Sequence, residues 1–92
     1  MKIEFDPEKR QATLDTRGLD MARAGEVFEG VHVDFPDPRF EDEQRFATFG
    51  HLDGRMVFLA WTWRDGRRRV ISMRKANDRE RRKYEDRLRP RE

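Results

Sequence analysis

The sequence has 92 residues, of which 43% are charged and 35% are hydrophobic, and its formal net charge is +2. This length predicts a single domain over residues 1–88 with a frayed tail at 89–92, and it excludes two domains. The lack of cysteine excludes a disulfide framework, a thiolate metal site and cysteine catalysis. No apolar run is typical of a signal peptide or a membrane anchor, so we expect a cytoplasmic protein.

Charge is distributed unevenly along the chain. Residues 1–44 contain six Lys and Arg against twelve Asp and Glu, a net charge of −6, whereas residues 45–92 contain fifteen against seven, a net charge of +8. This asymmetry predicts either that a polyanion binds the C-terminal half or that the acidic half screens the basic half. The sequence leaves both interpretations open.

The N-terminal part predicts one strand and two helices. Residues 1–5 alternate apolar and polar side chains, as a half-buried strand does. Asp6 is a typical N-cap of a helix that ends at Gly18, a residue suited to the left-handed C′ position. A second helix begins after Asp20 and ends at Gly30, with its apolar residues at helical spacing.

The C-terminal part predicts four strands and a final helix. Asp-Gly dipeptides at 53–54 and 65–66 indicate hairpin turns between the last three strands. The two prolines at 36 and 38 indicate a loop after the strand that precedes them. The whole order predicts an α+β domain with a small antiparallel sheet and helices packed on one face. The strands are expected at 31–35, 45–51, 56–63 and 67–75, the loop at 36–43, and the helix from Asn77 or Asp78 to Leu88.

Arginines are concentrated in RRRVISMRKANDRERRKYE, residues 67–85, which covers the last strand and most of the last helix. Strict alternation would place Val70 and Arg74 on one face of that strand and Met73 on the other. Guanidinium groups on a sheet suit phosphate, because their planar forks match its oxygens. Alternatively, these arginines pair with the acidic residues 41–43 or with acids of the helix, as most charged surface residues have no role in a site.

The last helix carries Arg79, Glu80, Lys83 and Tyr84 at spacings that bring a cation, a carboxylate and a phenol close together. Such a set suits phosphodiester cleavage, which needs proton transfer and cations at the phosphate oxygens. The alternative is surface ion pairing, with the tyrosine at the edge of the core. His51 lies beside a turn and could face the basic sheet. Neither histidine has partners at metal-ligand spacing, so no metal and no cofactor is predicted.

Trp61 and Trp63 share one face of the central predicted strand. Aromatic rings between basic residues can form a base-stacking platform. In a domain of this size, such rings more often belong to the core, which is the interpretation we favour.

Several motifs together resemble the BrnT family of type II toxins. The resemblance covers nearly the whole chain, and VISMRKANDRERRKYE is its most specific part. The motifs are I-x-F-D-P-x-K at 3–9, R-G-L-D at 17–20, V-F at 27–28, D-x-R at 37–39, E-x-R at 43–45, G-x-L-D-G-R at 50–55 and R-x-I-S-x-R-K-A at 69–76, followed by R-E and Y-E.

The resemblance implies a RelE-like fold, with a small antiparallel sheet, two N-terminal helices and a C-terminal helix. It also implies a metal-independent endoribonuclease that cleaves RNA and inhibits translation. The implied partner is a BrnA-type ribbon-helix-helix antitoxin, which forms a hetero-oligomer with the toxin, expected to be a heterotetramer. This complex would bind operator DNA through the antitoxin. No membrane partner is implied.

The resemblance also suggests site residues, some of which match family motif positions. We expect arginines to bind phosphate, Lys9 or Glu80 to assist proton transfer, and Tyr84 or His51 to orient the substrate. Arg17 stands where the family commonly has a histidine, which removes one candidate proton carrier. The predicted catalytic residues are Arg64, Arg74, Arg79, Glu80, Lys9 and Tyr84, and the predicted substrate-binding residues are Arg45, His51, Arg69, Ser72, Lys75 and Lys83.

Two other functions fit the same residues. The first is a module whose basic sheet binds nucleic acid or an acidic partner helix without catalysis. The second is an interaction protein whose basic surface serves only to receive an antitoxin.

Overall fold

The helices and strands occur along the chain in nearly the predicted order. The computed structural model describes residues 2–39 and 42–89, and the predictions for Met1, Glu41 and residues 90–92 lie outside this part. The elements are β1 (Ile3–Phe5), α1 (Pro7–Arg17), a 3-10 turn (Met21–Arg23), α2 (Ala24–Glu29), β2 (Val33–Asp37), β3 (Arg45–Leu52), β4 (Arg55–Arg64), β5 (Arg67–Lys75) and α3 (Asp78–Tyr84).

The five strands form one sheet in the order β1-β5-β4-β3-β2. β1 is parallel to β5, whereas the other neighbouring pairs are antiparallel. The α+β class is therefore confirmed, but the prediction of a purely antiparallel sheet is wrong. The cause is that the first strand pairs with the last one, a long-range contact that no local pattern encodes.

Capping residues determine where the helices begin. The Asp6 carboxylate accepts a hydrogen bond from the Glu8 backbone N–H at 2.9 Å, and Gly18 ends α1 with a φ of 69°. The Asp20 carboxylate caps the 3-10 turn, so the predicted second helix is divided and its α-helical part starts only at Ala24.

Several predicted boundaries differ from the structure, and β2 begins at Val33 instead of residue 31. β2 also extends through Pro36, where the sequence predicts a loop. The proline is tolerated because β2 is an edge strand, with a partner strand on one side only. α3 ends at Tyr84 and not at Leu88. Turn residues follow it, and they bring the Leu88 side chain into the core.

Both faces of the sheet are covered by helices, whereas the sequence predicted one covered face. The first face carries Val57, Leu59 and Trp61 of β4, which pack against the 3-10 turn and α2. The second face carries Met56 and Phe58, which belong to a separate cluster with residues of α3 and of the turn after it. β4 is the central strand and is apolar on both sides, so each face needs a cover.

A β-bulge changes the alternation along β5. Ala60 pairs with Ser72, but the next residue of β4, Trp61, pairs with Val70, which leaves Ile71 as the extra residue. The bulge lets Val70 and Met73 both enter the core of the first face. The prediction that they point to opposite faces is therefore wrong.

Gly50 lies where β3 passes beneath α2. A Cβ at this position would be 2.6 Å from Val27 Cγ1 and 3.3 Å from His32 Cβ. Val27 is fully buried and stiff at χ1, so it cannot move aside easily. We expect Gly50→Ala to lower the free energy of unfolding by about 1–3 kcal/mol in urea titrations.

Gly25→Ala is the matched control, because a Cβ at position 25 of α2 would meet Ile3 Cγ1 at an ordinary 3.7 Å. We expect it to leave the stability unchanged or to raise it by up to about 1 kcal/mol through helix propensity. Equal stabilities for Gly50→Ala and the wild type would contradict the close packing of β3 beneath α2.

An ion pair connects α1 to the 3-10 turn. Arg10 donates hydrogen bonds of 2.7 and 3.0 Å to the two oxygens of Asp20, and mainly for this reason the pKa of Asp20 is lowered from 3.8 to about 2. A lowered carboxyl pKa contributes stability that is complete above the unfolded-state value and is lost as the pH falls through the folded-state value. We expect the pair's contribution to disappear between about pH 4 and pH 2.

Asp20→Asn tests this, because asparagine retains the capping function but not the charge. The variant should lose stability near neutral pH and show a flatter decline of stability below about pH 4 in acid titrations followed by circular dichroism. Asp15→Asn, on the exposed side of α1, is the control. Identical acid profiles for Asp20→Asn and the wild type would contradict the assignment.

Candidate nucleic-acid interface

On the second face of the sheet, a row of small side chains crosses β3, β4 and β5. This row lies next to the region of the sheet that α3 covers. Ala47 of β3, Ala60 of β4 and Ser72 of β5 are in register across the three strands, and all are half-buried. Residues directly opposite one another in a sheet share a face, so the three side chains lie side by side. We call this row the shelf.

Arginines flank the shelf on both sides. On the side away from α3, Arg45, Thr62 and Arg69 form the next row across β3, β4 and β5. On the side of α3, Arg74 is in register with Phe58, and its Cζ atom lies 4.2 Å from the centre of that ring. A ligand on the shelf would therefore have guanidinium groups on two sides.

Carboxylates hold the arginines of the outer row. Arg69 pairs with Glu4 of β1, while Glu43 lies 3.6 Å from both Arg45 and Arg64. The interpretation that acidic residues of the first half screen the basic half is thus correct at these positions. The pairs leave the guanidinium groups partly exposed while restricting their orientation.

Arg74 is held by Glu80 of α3. Its guanidinium group donates two hydrogen bonds to the carboxylate, at 2.8 and 2.9 Å, and the same carboxylate accepts one from the Asn77 backbone N–H. Chiefly through the bonds with each other, the pKa of Glu80 is lowered and that of Arg74 is raised. Glu80 is therefore ionised and already occupied on both oxygens, and it orients Arg74 at the edge of the shelf.

A groove of about 350 Å³ between α1 and β5 reaches the shelf from the edge of the sheet. β1 pairs only with Arg68–Val70, and beyond this range α1 lies next to β5. Arg17 donates a hydrogen bond of 2.7 Å to the Met73 carbonyl. Lys9 and Arg17 line the groove together with Ser72, which also belongs to the shelf, so the groove and the shelf are continuous at this serine.

Two predicted site residues lie away from the shelf. Tyr84 is buried in the second cluster and stacks on Phe49 with ring centres 4.5 Å apart. His51 lines a separate cleft of about 430 Å³ between α3 and the β3–β4 turn, together with Arg55 and Arg82. The structure therefore does not bring the phenol or this imidazole to the arginines of the shelf.

The remaining predicted cations surround the start of α3. Lys75 at the end of β5, and Arg79 and Lys83 on α3, are all exposed. Lys83 Nζ lies 5.4 Å from the ring of Tyr84. Arg79 and Lys83 extend the positive surface beyond Arg74, whereas Lys75 is in register with Val57 and therefore lies on the first face.

Sequence reasoning missed three residues that form this surface. Ala47 and Ala60 have small side chains and so leave room for a ligand above the sheet. The sequence indicates this surface only by a small residue at matching positions of two predicted strands. For Arg17, the sequence indicates only that an arginine stands where the family commonly has a histidine. Its contact with β5 spans 56 positions of the chain, so no local pattern could have indicated it.

The fold and the surface define a small α+β protein whose mixed sheet presents an arginine-flanked shelf on one face. Over residues 5–80 the sequence matches the family model described as "Ribonuclease toxin, BrnT, of type II toxin-antitoxin system". The chain therefore belongs to the BrnT family of ribonuclease toxins, as its motifs predicted, and this membership implies an antitoxin partner. Searches of curated proteins and of solved structures gave no significant match. Within 2–39 and 42–89, no helix has the length and apolar character needed to cross a membrane.

Proposed function

We propose that this protein is a metal-independent endoribonuclease with a RelE-like fold, which binds RNA across the shelf, cleaves it and so inhibits translation. The observation that carries this proposal is the shelf itself, with Arg74 on one side, Arg45 and Arg69 on the other, and Lys9 close to Ser72. Guanidinium forks match phosphate oxygens, and the RNA 2′-hydroxyl supplies an internal nucleophile.

In this proposal Arg74 and Arg69 hold the scissile phosphate and stabilise the negative charge that develops on its oxygens. Lys9, exposed on α1, assists proton transfer, and the Ser72 hydroxyl donates a hydrogen bond to the phosphate. Glu80 acts as a positioning residue for Arg74, since its two oxygens are engaged. Other predicted cations contact neighbouring phosphates; these are the half-buried Arg45 and the exposed Arg64, Arg79 and Lys83.

Metal independence is supported by the state of the carboxylates. Glu4, Glu43 and Glu80, which border the shelf, each face an arginine. Among the residues that the structure describes, no group of three or more His, Asp and Glu could hold a metal ion. The phosphate charge would therefore be balanced by guanidinium groups.

We further infer that the antitoxin partner is a BrnA-type ribbon-helix-helix protein and that the two chains form a heterotetramer in the cytoplasm. The antitoxin would neutralise the toxin by covering the arginines of the shelf. Its DNA-binding part would place the complex on operator DNA and repress the operon.

The test is incubation of purified, antitoxin-free protein with RNA in the presence of EDTA. We expect fragments that end in a 2′,3′-cyclic phosphate, and no cleavage when the target position carries a 2′-deoxyribose. Intact RNA after incubation with folded protein, together with unchanged growth of cells that express it, would overturn the proposal.

A non-catalytic binding module is the second candidate. It is favoured by the burial of Tyr84 and by the ion pair of Glu80 with Arg74, because a predicted substrate-orienting group and a predicted proton-transfer group then have structural roles. Steep salt dependence of RNA binding, with intact RNA recovered, would support this alternative.

A further inference from the structure

A half-exposed tryptophan lies at the end of β4, on the face of the sheet opposite the shelf. Trp63 is 52% exposed, whereas Trp61, which also points to the first face, is 3% exposed. The prediction that both rings belong to the core is thus correct for Trp61 only. Trp63 is in register with Arg68, whose Cζ atom lies 5.2 Å from the centre of the Trp63 ring.

The Trp63 ring rests on a fixed aromatic layer. It meets Trp61 edge to face, with ring centres 5.2 Å apart, and Trp61 in turn stacks on Phe46 at 4.7 Å. The Trp61 indole N–H donates a hydrogen bond of 2.7 Å to the Thr48 hydroxyl. Arg68 lies 4.2 Å from the ring centre of Phe28 in the same layer. The inner side of the Trp63 ring therefore packs against Trp61, while half of the ring surface is exposed to solvent.

We propose that Trp63 stacks on a nucleobase of bound RNA and forms a base-binding subsite outside the cleavage position. This inference rests on the proposed ribonuclease function. Stacking on an aromatic ring is available to every base, and an adjacent guanidinium group strengthens such a site. A rigid ring also costs little conformational entropy on binding.

The β4–β5 hairpin connects this subsite to the shelf. Arg64 and Arg67 pair at the end of the hairpin, on the face of the shelf and just beyond the row that contains Arg69. An RNA strand that leaves the shelf by crossing this row in the direction of the hairpin meets both arginines before it reaches the turn. The next nucleotide can then fold over the turn and place its base on Trp63.

The local charge favours RNA over a protein partner at this position. Arg68 lies beside the exposed ring on the same face, Arg64 and Arg67 follow at the hairpin on the other face, and Asp65 is the only acid of the turn. Among the described residues, the other exposed large hydrophobic side chains are Leu14 and Val31, on α1 and before β2. One half-exposed ring beside a guanidinium group does not provide the apolar centre typical of a protein interface.

The experiment is a titration of the protein with a single-stranded 2′-O-methyl RNA oligonucleotide, which binds but cannot be cleaved. We expect quenching of the Trp63 fluorescence, and a 5- to 100-fold weaker affinity for Trp63→Ala, roughly the range for loss of one stacked base. Trp63→Phe should retain most of the affinity. Val31→Ala, which removes an equally exposed apolar side chain, should bind as the wild type does.

An oligonucleotide with abasic positions gives an independent test that needs no variant. It should lose affinity for the wild type and show no further loss with Trp63→Ala. If Trp63→Ala binds as tightly as a wild type that cleaves RNA, the subsite is wrong and the ribonuclease function stands. If the variant loses affinity only for the antitoxin, Trp63 is a protein contact and the subsite is again wrong. A wild type that neither binds nor cleaves RNA would overturn both proposals.

Discussion

Replacing Arg74 with alanine is expected to lower the rate of RNA cleavage about 100-fold or more, the cost of removing one preorganised donor to a developing negative charge. The side chain borders the shelf and cannot be deprotonated at working pH. Single-turnover cleavage by the purified variant measures the effect, and circular dichroism establishes that it is folded. Arg23→Ala is the control, since Arg23 is also an ion-paired arginine but lies near α2 and the β3–β4 turn.

Arg74→Lys and Glu80→Gln separate chemistry from positioning. Lysine keeps the charge but loses the fork, so we expect partial activity. Glutamine retains an acceptor for the Asn77 N–H but weakens the hold on Arg74, so its loss should be smaller than that of Arg74→Ala. An inactive Glu80→Gln enzyme with unchanged affinity for RNA would instead assign proton transfer to Glu80. Wild-type activity in Arg74→Ala would remove Arg74 from the site.

Tyr84→Ala is expected to lower the free energy of unfolding by about 3–5 kcal/mol, because it deletes a buried aromatic side chain. The ring packs on Phe35 and Phe49 and joins α3 to the second face of the sheet. Urea denaturation of the purified variant measures the effect.

Tyr84→Phe keeps the ring and is the matched control. We expect it to stay close to the wild type in stability and in RNA cleavage, as a packing residue should. A phenylalanine variant that is stable but inactive would show that the phenol takes part in the chemistry, as the sequence suggested.

The position of Arg74 depends on how α3 begins. The Asn77 side chain accepts a hydrogen bond from the Glu80 backbone N–H, and the Glu80 carboxylate accepts one from the Asn77 N–H and two from Arg74. The capping box and the ion pair thus share one carboxylate. The start of α3 and the orientation of Arg74 therefore depend on the same carboxylate. For this reason a motif on the last helix affects the shelf on the sheet.

Local features were predictable from the sequence. Asp6 and Gly18 determine the ends of α1, and Asn77 the start of α3, because a side chain or a backbone conformation within a few residues satisfies the free groups of a helix end. The Asp-Gly turns were equally clear: Asp53 and Gly54 both have positive φ, as such hairpins require. The family motifs added the class of function, which no local pattern contains.

The assembly of the site depended on the tertiary structure. Pairing of β1 with β5, the bulge at Ile71 and the burial of Tyr84 each result from contacts between distant parts of the chain. The crowded arginines of residues 67–85 could be read from the sequence, but not which of them face the shelf. The sequence alone determined where the helices, turns and charges occur, since these follow from neighbouring residues. Only the tertiary structure decided which side chains lie side by side on the shelf. The sheet register places them there, and this register depends on the packing of both faces of β4 at once.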